Sequence, residues 1–334
     1  MTWASAPGAH ALGLENVPAF KHVFIIVLEN EDYASSWGPN SPATYLNSLV
    51  PNGAFATQYY GASHASADNY IAMTSGQTPT VLFQTDCENW SLCEGSQKAR
   101  VDGGRSIVDQ LEEVTPTALT WGAYMDGMSR SCQHPSANDV VDPYGIGYAT
   151  RHDPFVYYPP IVEDQKRCDL HVVPYTELTP TLTSGAVPNY VFITPDTCHD
   201  GHDAVCANDP TTGGLKAADS WLSTNVPPIL QFVNDPNNDA VLFITFDESG
   251  FDDFSGCTSA RGTCASGSFG TGVDGGGRIG LLALSPLVHA GHTTDTPYDH
   301  ASLLRTIEDG FGISEHLNNA GSPLEHAMTD LFTS

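Results

Sequence analysis

Basic residues are scarce in this chain. Twelve lysines and arginines stand against 39 aspartates and glutamates, a formal net charge of −27 at pH 7. A field of that sign repels nucleic acid and anionic bilayers, so neither is an expected partner. No apolar run approaches the ~20 residues that cross a bilayer, so no transmembrane segment is expected. The cysteines include no Cys-x-x-Cys, which disfavours a zinc site. Met1-Thr2-Trp3-Ala4-Ser5 does not read as a signal peptide, and the expectation is a mature form with an added Met1.

The chain does have 334 residues, 40% of them hydrophobic, enough for one large α/β core. It also has eight cysteines, all in loop-like stretches. An even count in loops reads as four disulfides and a secreted protein, extracellular or periplasmic. Sequence neighbours make the preferred pairs: Cys87 with Cys93, Cys198 with Cys206, Cys257 with Cys264, leaving Cys132 with Cys168.

Two runs carry the strongest signal. Val23–Leu28 leads into Glu29-Asn30, and Val241–Phe246 leads into Asp247-Glu248. Each has the length and β-branched content of a buried strand. Parallel strands of an open α/β sheet carry ligand sites at their C-terminal ends. Side by side, these two would bring three carboxylates and an amide together, a crowd that needs a cation. Further strands are expected at 118–124, 189–194 and 279–284, and helices at 44–49, 63–76, 106–113, 215–233 (interrupted by Pro227-Pro228) and 299–311. Their alternation predicts a mostly parallel sheet. Residues 1–20 read as a lead-in. Residues 21–334 read as a single domain with an irregular insertion near 128–185, stapled by Cys132 and Cys168.

Chemistry-bearing side chains collect at three further places. Thr194–Asp203 holds His199, His202 and three aspartates beyond a strand end. Histidine there can bind metal, move protons or donate to phosphate. Ser66 lies where a helix begins, a position shared by nucleophiles and ordinary N-caps. His152 and His300 sit in Arg151–Phe155 and Tyr298–Glu308, each unremarkable when taken alone.

In order and spacing, His22–Asn30, Ser66–Gly76, Arg151–Phe155, Ile193–Asp203, Thr245–Glu248 and Tyr298–Glu308 resemble the phosphoesterase family of bacterial acid phosphatases and phospholipase C-type enzymes. That family is a branch of the alkaline phosphatase superfamily. The resemblance implies a doubly wound α/β fold with helices on both faces of the sheet, an alkaline-phosphatase-like core and disulfide-stapled loop insertions. It implies a metal-dependent phosphoric ester hydrolase working through a phosphoseryl intermediate on Ser66. Glu29, Asn30, Ser66, Asp247 and Glu248 match metal-ligand positions. Asn69, His152 and His199 match substrate-contacting positions, and His202 or His300 is the expected leaving-group acid. The metal is a divalent ion: calcium, magnesium, manganese or zinc. The substrate is a soluble phosphate ester or a zwitterionic phospholipid, and the protein is expected to be a monomer. One departure stands out. Relatives favour Pro two residues after the nucleophile, where this chain has Asp68, so either that carboxylate faces away or the substrate is cationic. A sulfatase is disfavoured because no Cys/Ser-x-Pro-x-Arg occurs. The alternative is a non-catalytic exported cation- or glycan-binding protein on a degenerate scaffold of the same kind.

Overall fold

A computed structural model describes residues 13–333 apart from 81, 88–89, 91–92, 94–103, 136–146, 203–204, 207–210 and 258–274. Its strands are β1 (His22–Leu28), β2 (Ala54–Ala56), β3 (Tyr59–Tyr60), β4 (Trp121–Met125), β5 (Val172–Pro174), β6 (Tyr190–Thr194), β7 (Ala240–Phe246), β8 (Leu281–Leu284), β9 (Thr293–Thr294) and β10 (Tyr298–Asp299). Eight of them form one sheet in the order β5-β4-β6-β1-β7-β8-β2-β9. β1 runs parallel to both β6 and β7, so the two acid-tipped strands are direct neighbours. β4 and β5 extend the parallel part. β3 and β10 pair separately, also in parallel.

The core follows from the apolar runs. β6 and β7 are buried at every residue, and β1 at every residue after His22. Successive strand side chains point to opposite faces, so both faces of the sheet are covered. Phe24 packs against Phe232 of the Gly214–Val233 helix, ring centroids 5.6 Å apart. Ile25, one residue on, is in register with Phe192, which packs against Tyr70 of the Ser66–Ser75 helix at 6.2 Å. Helices therefore lie on both faces, and the fold is the doubly wound, mostly parallel α/β architecture.

Two features differ from the sequence reading. β8 runs antiparallel to both β7 and β2: the sequence offers no helix between the runs at 241–246 and 279–284, so alternation does not constrain the direction of that strand. The helix expected to break at Pro227-Pro228 runs unbroken over Gly214–Val233. Its buried stripe of Leu215, Ala218, Trp221, Leu222, Val226, Ile229 and Val233 keeps helical spacing through the prolines. Packing of that stripe outweighs the lost backbone donors.

In the 128–185 stretch, the described part carries helices at Gln165–His171 and Leu178–Ser184 and supplies the edge strand β5. Disulfides join Cys87–Cys93, Cys132–Cys168 and Cys198–Cys206. Cys264, the expected partner of Cys257, lies outside the described residues, as does most of the lead-in. No described helix is long and apolar enough to cross a membrane.

Candidate active site

Leu28 and Phe246 are paired at the ends of β1 and β7, so the residues that follow them meet. The Asp247 N–H donates to the Leu28 carbonyl at 2.9 Å. The Asn30 N–H donates to Asp247 Oδ1 at 3.0 Å, and Asn30 Nδ2 donates to Glu29 Oε2 at 2.7 Å. Glu29, Asp247 and Glu248 are all buried.

Ser66 begins the Ser66–Ser75 helix, every residue of which is buried. Its Oγ donates to Glu29 Oε2 at 2.8 Å. The turn before it is held from two sides. The Ala65 N–H donates to Glu248 Oε2 at 2.6 Å, and Asn69 Nδ2 donates to the same oxygen at 3.0 Å. Asn69 Oδ1 accepts from the N–H groups of Ala62 and Ser63. Ala65 has φ 134° and Asn30 φ 44°, both in the left-handed half of the map where a side chain is disfavoured. Such strain costs roughly 1–3 kcal/mol per residue and persists only where the surroundings enforce it. Here it flanks the hydroxyl on one side and the acid pair on the other. Two glycines let these segments approach. A Cβ on Gly61 would lie 2.8 Å from the Asp247 carbonyl oxygen, and one on Gly276 would lie 2.2 Å from that of Ser63.

The oxygens are crowded. Burial, and then the charge of Glu248, hold the Asp247 carboxyl well above the usual carboxylate range. Burial does the same to Glu248. Asp247 Oδ2 and Asn30 Oδ1 are buried without a hydrogen-bond partner among the described residues. The Asp247 carboxyl lies within hydrogen-bonding reach of the Glu29 carboxyl. Two carboxylates have no proton to offer each other, so their proximity calls for a shared proton or a cation. Glu29, Asn30, Ser66 and Asp247 thus offer a hard-oxygen donor set that fits a divalent ion. Glu248 Oε2 accepts from Ala65 and Asn69, just as Glu29 Oε2 accepts from Ser66 and Asn30.

The histidines divide by environment. His152 is buried, with Nε2 3.1 Å from Glu29 Oε1 and its ring stacked on Tyr70 at 5.4 Å. The His300 Nε2–H donates to the Asp247 carbonyl at 2.6 Å, while Nδ1 accepts from the Tyr59 hydroxyl at 3.0 Å. Burial pushes its pKa down to about 4, so it is neutral. His199 is drawn to Asp196 at 2.6 Å, which raises its pKa. His202 is exposed, near the Glu31 carboxyl.

Two groups of described residues have metal-ligand spacing, Asp126–Asp196–His199 and Cys198–His199–Cys206. In the first, Asp126 Oδ2 accepts from Trp221, and Asp196 Oδ1 accepts from His199 and two backbone N–H groups, so the cluster is internally satisfied. In the second, both sulfurs are in a disulfide.

Asp68 is engaged within the fold. Its oxygens accept from the Thr80 N–H at 2.9 Å and the Ser63 hydroxyl at 3.5 Å. Three residues at this edge of the sheet were not singled out from sequence. Asp86, beside the Cys87–Cys93 staple, accepts from the Ala67 N–H at 3.1 Å in the first turn of the helix. His64 has Nδ1 3.7 Å from Glu248 Oε2, and Nε2–H donates to the Asp253 carbonyl. Asp200 is buried, and its carbonyl accepts from the Glu29 N–H at 2.8 Å. His64 and Asp200 lie inside segments already rich in signal; Asp86 had none.

Next to His152, Asp153 is fully buried, accepting from the Tyr148 hydroxyl at 2.8 Å and the Phe155 N–H at 3.2 Å. Burial raises its pKa from 3.8 to about 7. The folded chain then binds this proton more tightly than the unfolded chain does. Stability from this group is full below pH ~4 and falls as pH rises towards 7, by at most about 4 kcal/mol. Asp153→Asn removes that slope. Urea midpoints at pH 5 and pH 8 should show the variant gaining on the wild type at the higher pH; parallel shifts would contradict the assignment.

A family model, Phosphoesterase family, matches residues 36–314. A "Probable acid phosphatase" of Kluyveromyces lactis is 28% identical over 240 residues, 69% of this chain and 48% of that protein. The chain thus spans about half the length of that relative. A "Phosphatidylinositol-3-phosphatase" of Mycobacterium tuberculosis is 25% identical over 247 residues, 74% of this chain and 70% of that one. Among solved structures, a protein in the alkaline phosphatase superfamily from Vibrio parahaemolyticus superposes with a TM-score of 0.51 at 14% identity, covering 91% of this chain and 70% of that chain, a likeness of fold. With the family model matched across most of its length, from the first helix after Glu29-Asn30 to the helix opened by His300, the chain belongs to the Phosphoesterase family.

Proposed function

We propose that the chain hydrolyses phosphoric esters by nucleophilic attack of Ser66, with a divalent cation held by Glu29, Asn30, Asp247 and the Ser66 hydroxyl. The observation that carries this reading is the Ser66 Oγ–H bound to Glu29 Oε2, beside buried and unpartnered oxygens of Asn30 and Asp247. A bound divalent cation lowers the hydroxyl pKa and offsets phosphoryl charge. Glu29 orients the hydroxyl and accepts its proton. Ser66 Oγ forms the bond to phosphorus as the leaving-group oxygen departs with the electron pair and takes a proton. The positive end of the Ser66–Ser75 helix dipole favours the phosphoryl charge beside Ser66. Water then cleaves the phosphoseryl ester, releasing phosphate and restoring the hydroxyl.

Among the histidines, exposed His202 suits the leaving-group acid. His300 acts as a positioning residue, because both its nitrogens are engaged and burial keeps it neutral. His152 steadies Glu29. Asn69 and Glu248 together hold the strained Ala65 turn. His199 is engaged by Asp196.

The two relatives named as phosphatases support ester hydrolysis as the reaction class. The test is turnover of 4-nitrophenyl phosphate with and without chelator. Chelation should lower the rate by at least about a hundredfold, the scale of several kcal/mol of charge stabilisation, and added divalent cation should restore it. Full activity in excess chelator would remove the cation from the reading. No turnover of monoester or diester with cation supplied would remove hydrolysis.

A further inference from the structure

Six large apolar side chains are exposed among the described residues, and two of these are aromatic: Phe251, 67% exposed, and Phe254, 44% exposed. Both sit on the segment that follows Glu248, and both pack on the same ring. Phe251 stacks on His64 with centroids 5.1 Å apart and an interplanar angle of 28°. Phe254 meets His64 at 4.5 Å and 66°. His64 is two residues before Ser66, and its Nδ1 is 3.7 Å from Glu248 Oε2. The aromatic group is therefore one side chain away from the reacting centre.

The segment that presents these rings is braced. The Gly250 N–H donates to Asp32 Oδ1 at 2.8 Å. The Asp253 N–H closes a turn onto the Gly250 carbonyl. Asp253 Oδ1 accepts from the Ser255 N–H, and its Oδ2 from the Arg278 N–H. Phe251 thus stands at the corner of a fixed turn, with Phe254 just past it. Single exposed apolar residues need no explanation, but two phenylalanines on a rigid mount beside a nucleophile are a different case.

From this placement we infer that Phe251 and Phe254 form a specificity platform for the leaving group of the substrate, and that the favoured leaving group carries a planar ring. This rests on the phosphoric ester reading of the Ser66 centre. Flat rings pack on aromatic faces in offset or edge-on arrangements that a flexible chain does not reproduce. The platform acts on the part of the ester that departs, so it selects among substrates without altering the chemistry at phosphorus.

Calorimetry on the full chain, with divalent cation supplied, tests it with phenylphosphonate, butylphosphonate and methylphosphonate. The wild type should favour the phenyl over the methyl ligand by about tenfold, the scale of one or two aromatic contacts. Phe251→Ala and Phe254→Ala should each cut that ratio by about threefold or more, while Phe251→Tyr, which keeps the ring, should hold it. Both positions are exposed, so the fold does not depend on them. A ratio that survives both alanine substitutions, or butylphosphonate binding as well as phenylphosphonate, overturns the proposal. So does a wild type that binds none of the three. Turnover of phenyl phosphate reports separately on hydrolysis: phenyl preference in binding without turnover of that ester would sink the hydrolase reading, whereas turnover without phenyl preference would sink the platform alone.

Discussion

Replacing Ser66 with alanine lowers turnover of any phosphate ester by at least about four orders of magnitude, the usual scale for loss of a covalent nucleophile. The Ser66 hydroxyl donates to Glu29 Oε2. That oxygen keeps the Asn30 amide as a donor after the change. The helix start is fixed by other groups, namely the Ala65 N–H on Glu248 and the Ala67 N–H on Asp86. Alanine is also the better helix former. The variant should therefore melt within about 1 kcal/mol of the wild type. Acid quenching during turnover of labelled substrate should trap phosphate on the wild type and none on Ser66→Ala. Wild-type rates in the variant would rule out Ser66 attack and point to direct attack by water.

The strands that build this site were legible because each is a run of β-branched and aromatic residues ending abruptly in acid or amide. Their neighbourhood was legible by rule, since parallel strands share one C-terminal edge. Strand order and direction were not, and β8 shows why: Leu281–Leu284 reads the same whichever way it runs. The two-residue strands β3, β9 and β10 leave no periodicity to find. That gap had a cost at the site. His300 starts the helix just after β10, and its two partners, Tyr59 and the Asp247 carbonyl, come from β3 and β7 ends. A motif shows a polar residue at that position; the partners that remove its proton-donating capacity are tertiary. Asp247 and Glu248 divide for a related reason. Neighbouring residues at a strand end point in different directions. One reaches the Glu29 cluster and the other the Ala65 turn, and the pair looks symmetric in sequence.

The second large effect concerns Asp247, where activity and stability should move in opposite directions. Asp247→Asn keeps one acceptor oxygen for the N–H groups of Asn30 and Glu248, which now bond to Asp247 Oδ1 at 3.0 and 2.6 Å. It replaces the unpartnered Oδ2 with an amide donor within reach of the Glu29 carboxyl. Removing a buried like charge and supplying a donor should stabilise the cation-free fold by roughly 1–4 kcal/mol, as replacements of buried ionic groups commonly do. The sign follows from the raised pKa. Asp247 sits well above its usual range, so at neutral pH its ionised form works against folding unless something neutralises it. On the proposed reading a divalent ion fills that role in the wild type, and at a hundred times its Kd it would add about 2.7 kcal/mol to stability. The wild type should therefore gain several degrees in Tm on addition of cation, and Asp247→Asn should gain little. Without cation the order should reverse, with the variant melting higher. Turnover by the variant should fall by at least about a hundredfold, because charge stabilisation at the phosphoryl group depends on holding the ion. Melting curves with and without cation, set beside kcat/KM, separate this from a structural role. A variant that melts lower than the wild type in chelator would mean that Asp247 is needed for packing. A variant whose Tm still climbs with cation would place the ion elsewhere.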